Sequence, residues 1–230
     1  MLTAKEFVAK LESENEALFR ASELQIKHYY ENTTDKDELI DNFTGRMVNE
    51  RMNMEEISRE VAALPAGTDP EKLVLLSKQA HDEAKHFQFV KEVVEYLLGE
   101  KLDMQKAVEA HASRLEQKGA AMIKKYNCNG NPLMLGLYQL LAEGRAARNW
   151  DMMAKVIQDP FISSRYAKIA KDESFHATLG RMELEKLCDT QEAQDEINAV
   201  INNFRKDLFA ITSSKTGTLE ASAKLMEVYA

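Results

Sequence analysis

Apolar residues recur along most of this chain at alternating steps of three and four, the spacing that keeps one stripe of an α-helix in register. One stripe runs Met47, Glu50, Met54, Ile57, Val61, Leu64, and a second runs Leu73, Leu76, Ala80, Glu83, Phe87, Val90, Val94, Leu97. A third runs Leu133, Gly136, Leu140, Glu143, Ala147, Trp150, Ala154, Ile157, and a fourth Tyr166, Ala170, Glu173, Ala177, Gly180, Leu184, Leu187. The periodicity predicts helices over Thr3 to Tyr30, Lys36 to Leu64, Pro70 to Leu98, Asp103 to Tyr126, Pro132 to Gln158, Pro160 to Leu187, Gln191 to Thr212 and Leu219 to Tyr229. The prolines fit these boundaries. Pro65, Pro70, Pro132 and Pro160 fall between stripes, and three of them follow Asp or Asn, as an N-cap followed by proline at the first helical position would. The connections are too short for an interdomain linker, so residues 1–230 are expected to form a single all-α domain. The short last helix is a candidate oligomer or lid element.

Each of the four stripes is interrupted by a single charged residue, a glutamate. Burying four carboxylates near one another is prohibitive unless cations compensate them. Two of the four belong to a pattern written twice, Ala80-x-Asp82-Glu83-x-x-His86 and Ala170-x-Asp172-Glu173-x-x-His176, with the copies 90 residues apart. Asp69-Pro70 recurs as Asp159-Pro160 at the same offset, so the segments read as halves of a repeated hairpin. With only five histidines in 230 residues one Glu-x-x-His would mean little, but two in register carry weight. A Glu and a His three apart share a helix face. Glu83 lies 13 residues beyond Pro70, and Glu50 about as far before the turn, so the two meet at one level of an antiparallel hairpin. Glu143 and Glu173 stand in the same relation to the second turn. Glu50, Glu83, His86, Glu143, Glu173 and His176 are thus candidate ligands for two divalent ions. Glu55 and Glu56 fall off the stripe and read as solvated, and His28, His81 and His111 as surface or packing residues.

Composition narrows the class. Only 9 Gly and 4 Pro fit a nearly all-helical chain. A net charge of −8 without a basic face argues against nucleic acid as a partner. The longest apolar runs are as short as Leu73 to Leu76, so no membrane span is expected, and no signal-peptide stretch opens the chain, which places it in the cytoplasm. Cys128 and Cys188 form no Cys-x-x-Cys pair, which excludes a built-in rubredoxin or iron–sulfur centre.

The succession Glu50, Glu83-x-x-His86, Glu143, Glu173-x-x-His176 resembles the ferritin-like di-iron carboxylate superfamily over about residues 44–187. The resemblance implies a four-helix bundle core with additional N-terminal, crossover and C-terminal helices. It also implies two iron ions, or manganese in one of the sites. Glu50 and Glu143 would be terminal ligands, Glu83 and Glu173 bridging ligands, and His86 and His176 one nitrogen ligand per ion. Asp82 and Asp172 match the Asp-Glu-x-x-His form of oxygen-activating members, in which the aspartate orients a histidine across the site. Asp82 would serve His176, and Asp172 would serve His86. Departures also inform. Val90 stands where the ribonucleotide reductase small subunit carries its radical tyrosine, the rubredoxin module common in rubrerythrins is missing, and there are more helices than in ferritins or bacterioferritins. The outline is more similar to small single-chain oxygenases such as aldehyde-deformylating oxygenases, the tRNA-modifying di-iron hydroxylase or the di-iron N-oxygenases.

The resulting expectation is a non-haem di-iron oxidase or oxygenase that uses O2 to oxidise a small or lipid-like organic substrate, with an external electron donor and a monomeric or homodimeric state. Tyr138, Tyr166 and Trp150 are candidate relay residues, with packing as their plainer role. The alternative is a ferritin- or rubrerythrin-like ferroxidase or peroxide-reducing iron-handling protein. Stripe neighbours of the first hairpin are bulky, whereas those of the second, Gly136, Gly144, Ala147, Ala177 and Gly180, are small. Two readings of these small residues stay open: a substrate pocket beside Glu143 and Glu173, or close approach of two helices.

Overall fold

Side-chain caps start the long helices. In the computed structural model, which describes residues 1–112, 114 and 118–229, Thr3 and Glu6 form a reciprocal capping box that opens α1 (Ala4–Asn32). Asp35 caps α2 (Lys36–Ala63), Asp69 caps α3 (Pro70–Leu98), and Asp159 caps α8 (Pro160–Leu187), each accepting from backbone N–H groups of the first turn. Proline occupies the first turn of α3, of α8 and of α6 (Pro132–Tyr138), the last capped by Asn131. Gly99, at φ +79°, ends α3 in the left-handed conformation that glycine adopts without strain. The remaining helices are α4 (Met104–Ala112), α5 (Ala121–Lys125), α7 (Gly144–Val156), α9 (Gln191–Thr216) and α10 (Glu220–Met226), the last followed by a 3-10 turn over Glu227–Tyr229. Every regular element among the described residues is helical, and no described helix is long and apolar enough to cross a membrane.

Two expected helices differ from the structure. The continuous helix over Asp103 to Tyr126 is instead α4 and α5, separated by a turn at Lys118–Ala120; residues 113 and 115–117 of that span lie outside the described residues. The helix over Pro132 to Gln158 is not uniformly α: Gln139–Glu143 forms a π-helical stretch between α6 and α7. Leu133 through Glu143 is buried on every side, so no polar face marks the change of phase in the sequence.

The chain builds two hairpins, α2 against α3 and the α6–π–α7 rod against α8, which meet through α3 and α8. α1 lies along α7 and α8, with α9 and α10 also packed on it. The C-terminal turn is pinned there: the buried Tyr229 hydroxyl donates to Glu14 O and accepts from Leu18 N. Apolar side chains form two clusters, one containing Ile57, Leu76, Leu140 and Leu184, the other Met47, Val90, Trp150 and Ile169. In each of the four core helices the stripe glutamate falls between a member of one cluster and a member of the other. A polar layer therefore divides the core.

The small residues of the second hairpin divide as well. A Cβ on Gly180 would lie 2.5 Å from Leu140 N and 2.6 Å from Gly136 O, and one on Gly136 would lie 3.2 Å from the Leu184 side chain. At these two glycines the helices approach closely. Gly144, Ala147 and Ala177 instead line a groove of about 600 Å³ between α1, α7 and α8. Glu56, read as solvated, is buried: it accepts from Arg59 and from Asn129 Nδ2 (3.2 Å), while Glu60 accepts from Gly130 N (2.9 Å). Both carboxylates hold the loop between α5 and α6, a long-range role that stripe position does not reveal.

Candidate metal centre

Glu50 comes from α2, Glu83 and His86 from α3, Glu143 from the last position of the π stretch, and Glu173 and His176 from α8. None of the six is more than 3 % exposed. They assemble into two donor sets, Glu50, Glu83, His86, Glu173 and Glu83, Glu143, Glu173, His176, each with its donor atoms within 4.8 Å of one another. Glu83 and Glu173 belong to both sets. The structure thus brings together the four stripe glutamates and the two histidines of the repeated Glu-x-x-His pattern.

Both histidines turn Nδ1 inward. His86 Nδ1 lies 3.6 Å from an oxygen of each of Glu50, Glu83 and Glu173, and His176 Nδ1 lies 3.3 Å from Glu83 Oε1 and 3.1 Å from Glu173 Oε2. Donors about 2 to 2.3 Å from a shared divalent ion sit about 3 Å apart when at right angles, so groups spaced in this way could close on one ion. The Nε2 atoms face outward and are crossed between the hairpins: His86 Nε2 lies 3.5 Å from Asp172 Oδ2, and His176 Nε2 lies 3.5 Å from Asp82 Oδ2. Lys78 and Lys85 also reach Asp82.

Glu143 has a different support. Its Oε1 accepts from Gln79 Nε2 (3.2 Å), and Gln79 Oε1 accepts from Gln139 Nε2 (2.7 Å). Asn49 Nδ2 donates to Glu50 Oε1 (3.3 Å). The stripes missed these amides. Gln79 could have been found, since it lies four residues before Glu83 on the same face, but Ala80 fills that part of the stripe.

The electrostatics show what the donor set lacks. Burial pushes the Glu50 carboxyl up to about 7, against the pull of His86. Burial, then the charges of Glu173 and Glu83, push Glu143 well above the carboxylate range. Burial would raise Glu83 too, but the two rings of His176 and His86 outweigh it and hold the group down to about 2. Burial opposes protonation of both histidines, yet the surrounding carboxylates hold each ring well above its ordinary value. Glu50 Oε2, both oxygens of Glu83 and both ring nitrogens of His86 are buried with no hydrogen-bond partner, and each such group costs about 1–3 kcal/mol. Hard carboxylate oxygens with one imidazole per set fit first-row divalent ions such as ferrous iron. The buried Glu and His groups could hold a metal ion of this class.

The three other histidines stand apart: His28 and His81 are exposed, and His111 is buried beside Asp41. Tyr138 donates to Asn53 Oδ1 (3.2 Å), and Tyr166 packs between Phe43 and Trp150. The groove at Gly144, Ala147 and Ala177 is lined by none of the six donors. Comparison with protein-family models, with curated proteins and with solved structures found no match.

Proposed function

We propose that the chain is a ferritin-like di-iron carboxylate protein, acting as an O2-dependent oxidase or oxygenase on an organic substrate. The observation that carries this reading is the sharing of Glu83 and Glu173 by two buried donor sets, each completed by one further glutamate and one histidine Nδ1. Glu50 and Glu143 would be the terminal carboxylates. Two ferrous ions held there would supply the Lewis acidity and the electrons that O2 activation requires.

The chain's own residues do the rest. Asp172 and Asp82, each 3.5 Å away, would draw a proton to the outward Nε2 of His86 and His176 and so leave the inward Nδ1 as the free donor. Gln79 holds Glu143 through its Nε2. The two apolar clusters exclude water above and below the polar layer. For an oxygenase, one atom of O2 enters the substrate and the other leaves as water, with two electrons and two protons from a separate donor.

Anaerobic titration with ferrous iron followed by metal analysis tests this. Two ions per chain are expected, with O2 uptake once air is admitted. One ion or none would defeat the reading. Two ions with steady iron accumulation in a large hollow oligomer would favour the iron-handling alternative.

A further inference from the structure

Outside Glu50 the charge reverses. Arg46 on α2, Arg145 on α7, Lys118 before α5 and Lys215 in the last turn of α9 converge from four separate elements. Arg46 and Arg145 are 7 % exposed and Lys118 is 3 % exposed. A cavity of about 40 Å³ has Arg46, Arg145, Asn149 and Lys215 in its wall together with Glu50 itself. Lys215 also lines a neighbouring pocket of about 230 Å³, which contains Lys118 and His111 and reaches the exposed Glu38 and Asp41. Lys215 stands in the wall of both spaces, so they adjoin between the exposed Glu38 and Asp41 and the buried Glu50.

Among the described residues carboxylates do little to compensate these cations, although Arg46 also lies over the Tyr30 and Trp150 rings. Among the described residues none of the four forms an ion pair within 4.0 Å. Arg46 Nε donates to the Tyr30 hydroxyl and Asn42 Oδ1, and Arg145 Nη1 to Leu208 O and Thr212 Oγ1, all neutral acceptors. Arg145 Nε and Asn149 Oδ1 have no partner. Asp41 is engaged by Arg114 (3.0 Å) and His111 (3.5 Å), and Glu50 faces the donor sets. Burial together with the neighbouring cations depresses Lys215 well below the lysine range and Lys118 to about 8. The guanidinium groups held in this way are preorganised for an incoming anion, and an anion would favour the ammonium form of the two lysines beside them.

We propose that this cationic chamber receives the carboxylate of the substrate, so that the protein binds a small organic acid on the Glu50 side of the metal centre. This rests on the proposed function for the word substrate; the receptor itself rests on the chamber. The inner cavity suits a flat, singly charged carboxylate better than a bulkier tetrahedral phosphate.

The test is calorimetric titration of ferrous-loaded, anaerobic protein with straight-chain carboxylates from acetate to octanoate, and with the matching primary amides. At least one acid is expected to bind at least tenfold more tightly than its amide, and Lys215→Met and Lys118→Met are each expected to weaken that acid at least tenfold. Neither variant should alter the two-ion stoichiometry. Both should raise the thermal midpoint of the ligand-free protein, because each removes a desolvated, repelled charge, and this separates a lost receptor from a misfolded one. Equal binding of acids and amides, undiminished binding in both variants, or inorganic phosphate competing as well as the best acid would overturn the proposal. Two ions without acid preference would sink the receptor alone, whereas acid preference without metal would sink the di-iron reading and leave the receptor standing.

Discussion

Glu143 is the candidate ligand that depends most on its neighbours, because it ends a π-helical stretch and leans on an amide that is itself held by another amide. Gln79→Leu would leave Gln139 Nε2 and Glu143 Oε1 without their partner, costing about 1–3 kcal/mol in a buried site. Urea denaturation should show that loss, and metal titration should show one ion weakened several-fold while the other holds. Equal weakening of both would remove Gln79 as a specific support. The two aspartates are also unequal. The Asp82 side chain is 3 % exposed and meets Lys78 and Lys85, whereas that of Asp172 is 30 % exposed and meets His86 alone among these groups. Asp82→Ala is therefore expected to cost more stability than Asp172→Ala. Each should weaken metal binding by about 10- to 100-fold through the histidine it orients. A larger stability loss for Asp172→Ala would contradict this asymmetry.

At the level of elements, the tightest of the glycine contacts is made where α8 passes the π stretch. Because the atoms that a Cβ on Gly180 would strike are backbone, they cannot turn aside. Gly180→Ala should destabilise the protein by about 1–3 kcal/mol and shift Glu143 enough to weaken its ion. Gly144→Ala is the control, since its new methyl would meet the end of the Phe19 ring at 3.0 Å, and that side chain can rotate. If the two variants lose equal stability in chemical denaturation, the π stretch is not held by this contact. Helix starts were legible in the sequence because Asp69, Asn131 and Asp159 cap locally and their prolines mark the first turn. The cluster of six was legible because a glutamate in an apolar stripe stands out against its neighbours and because Glu-x-x-His is written twice in register. The break in the predicted Asp103 to Tyr126 helix, the π stretch and the burial of Glu56 were not, since each is decided by contacts distant in the chain. The cationic chamber was hidden for the same reason: its four members sit on four elements and share no spacing.

For the molecule as a whole, the polar layer makes stability depend on what fills it. In the metal-free chain Glu50 and Glu143 keep protons above the range in which an unfolded chain would lose them, and His86 and His176 do likewise. The folded form then binds more protons than the unfolded form, so the slope of unfolding free energy with pH is negative. For Glu50 the loss starts near the ordinary value of 4.5 and runs through about 7, and the histidines extend it upward from about 6.5. Glu83 works in the opposite sense, but its contribution is gained between about 2 and 4.5 and is constant thereafter. All changing contributions from the site between about pH 5 and 8 thus point one way. Thermal midpoints of metal-free protein should fall across that interval while helix content stays near native. Two bound divalent ions keep the same carboxylates ionised and the imidazoles neutral, so the fall should vanish on metal loading. The double mutant Glu50→Gln with Glu143→Gln, which removes both raised carboxyls, should flatten the carboxylate part of the metal-free profile and leave only the histidine part above about pH 6.5. A metal-free profile that rises or stays level over pH 5 to 8, or a double mutant that keeps the full fall below pH 6.5, would mean that the buried cluster does not govern the stability of the fold.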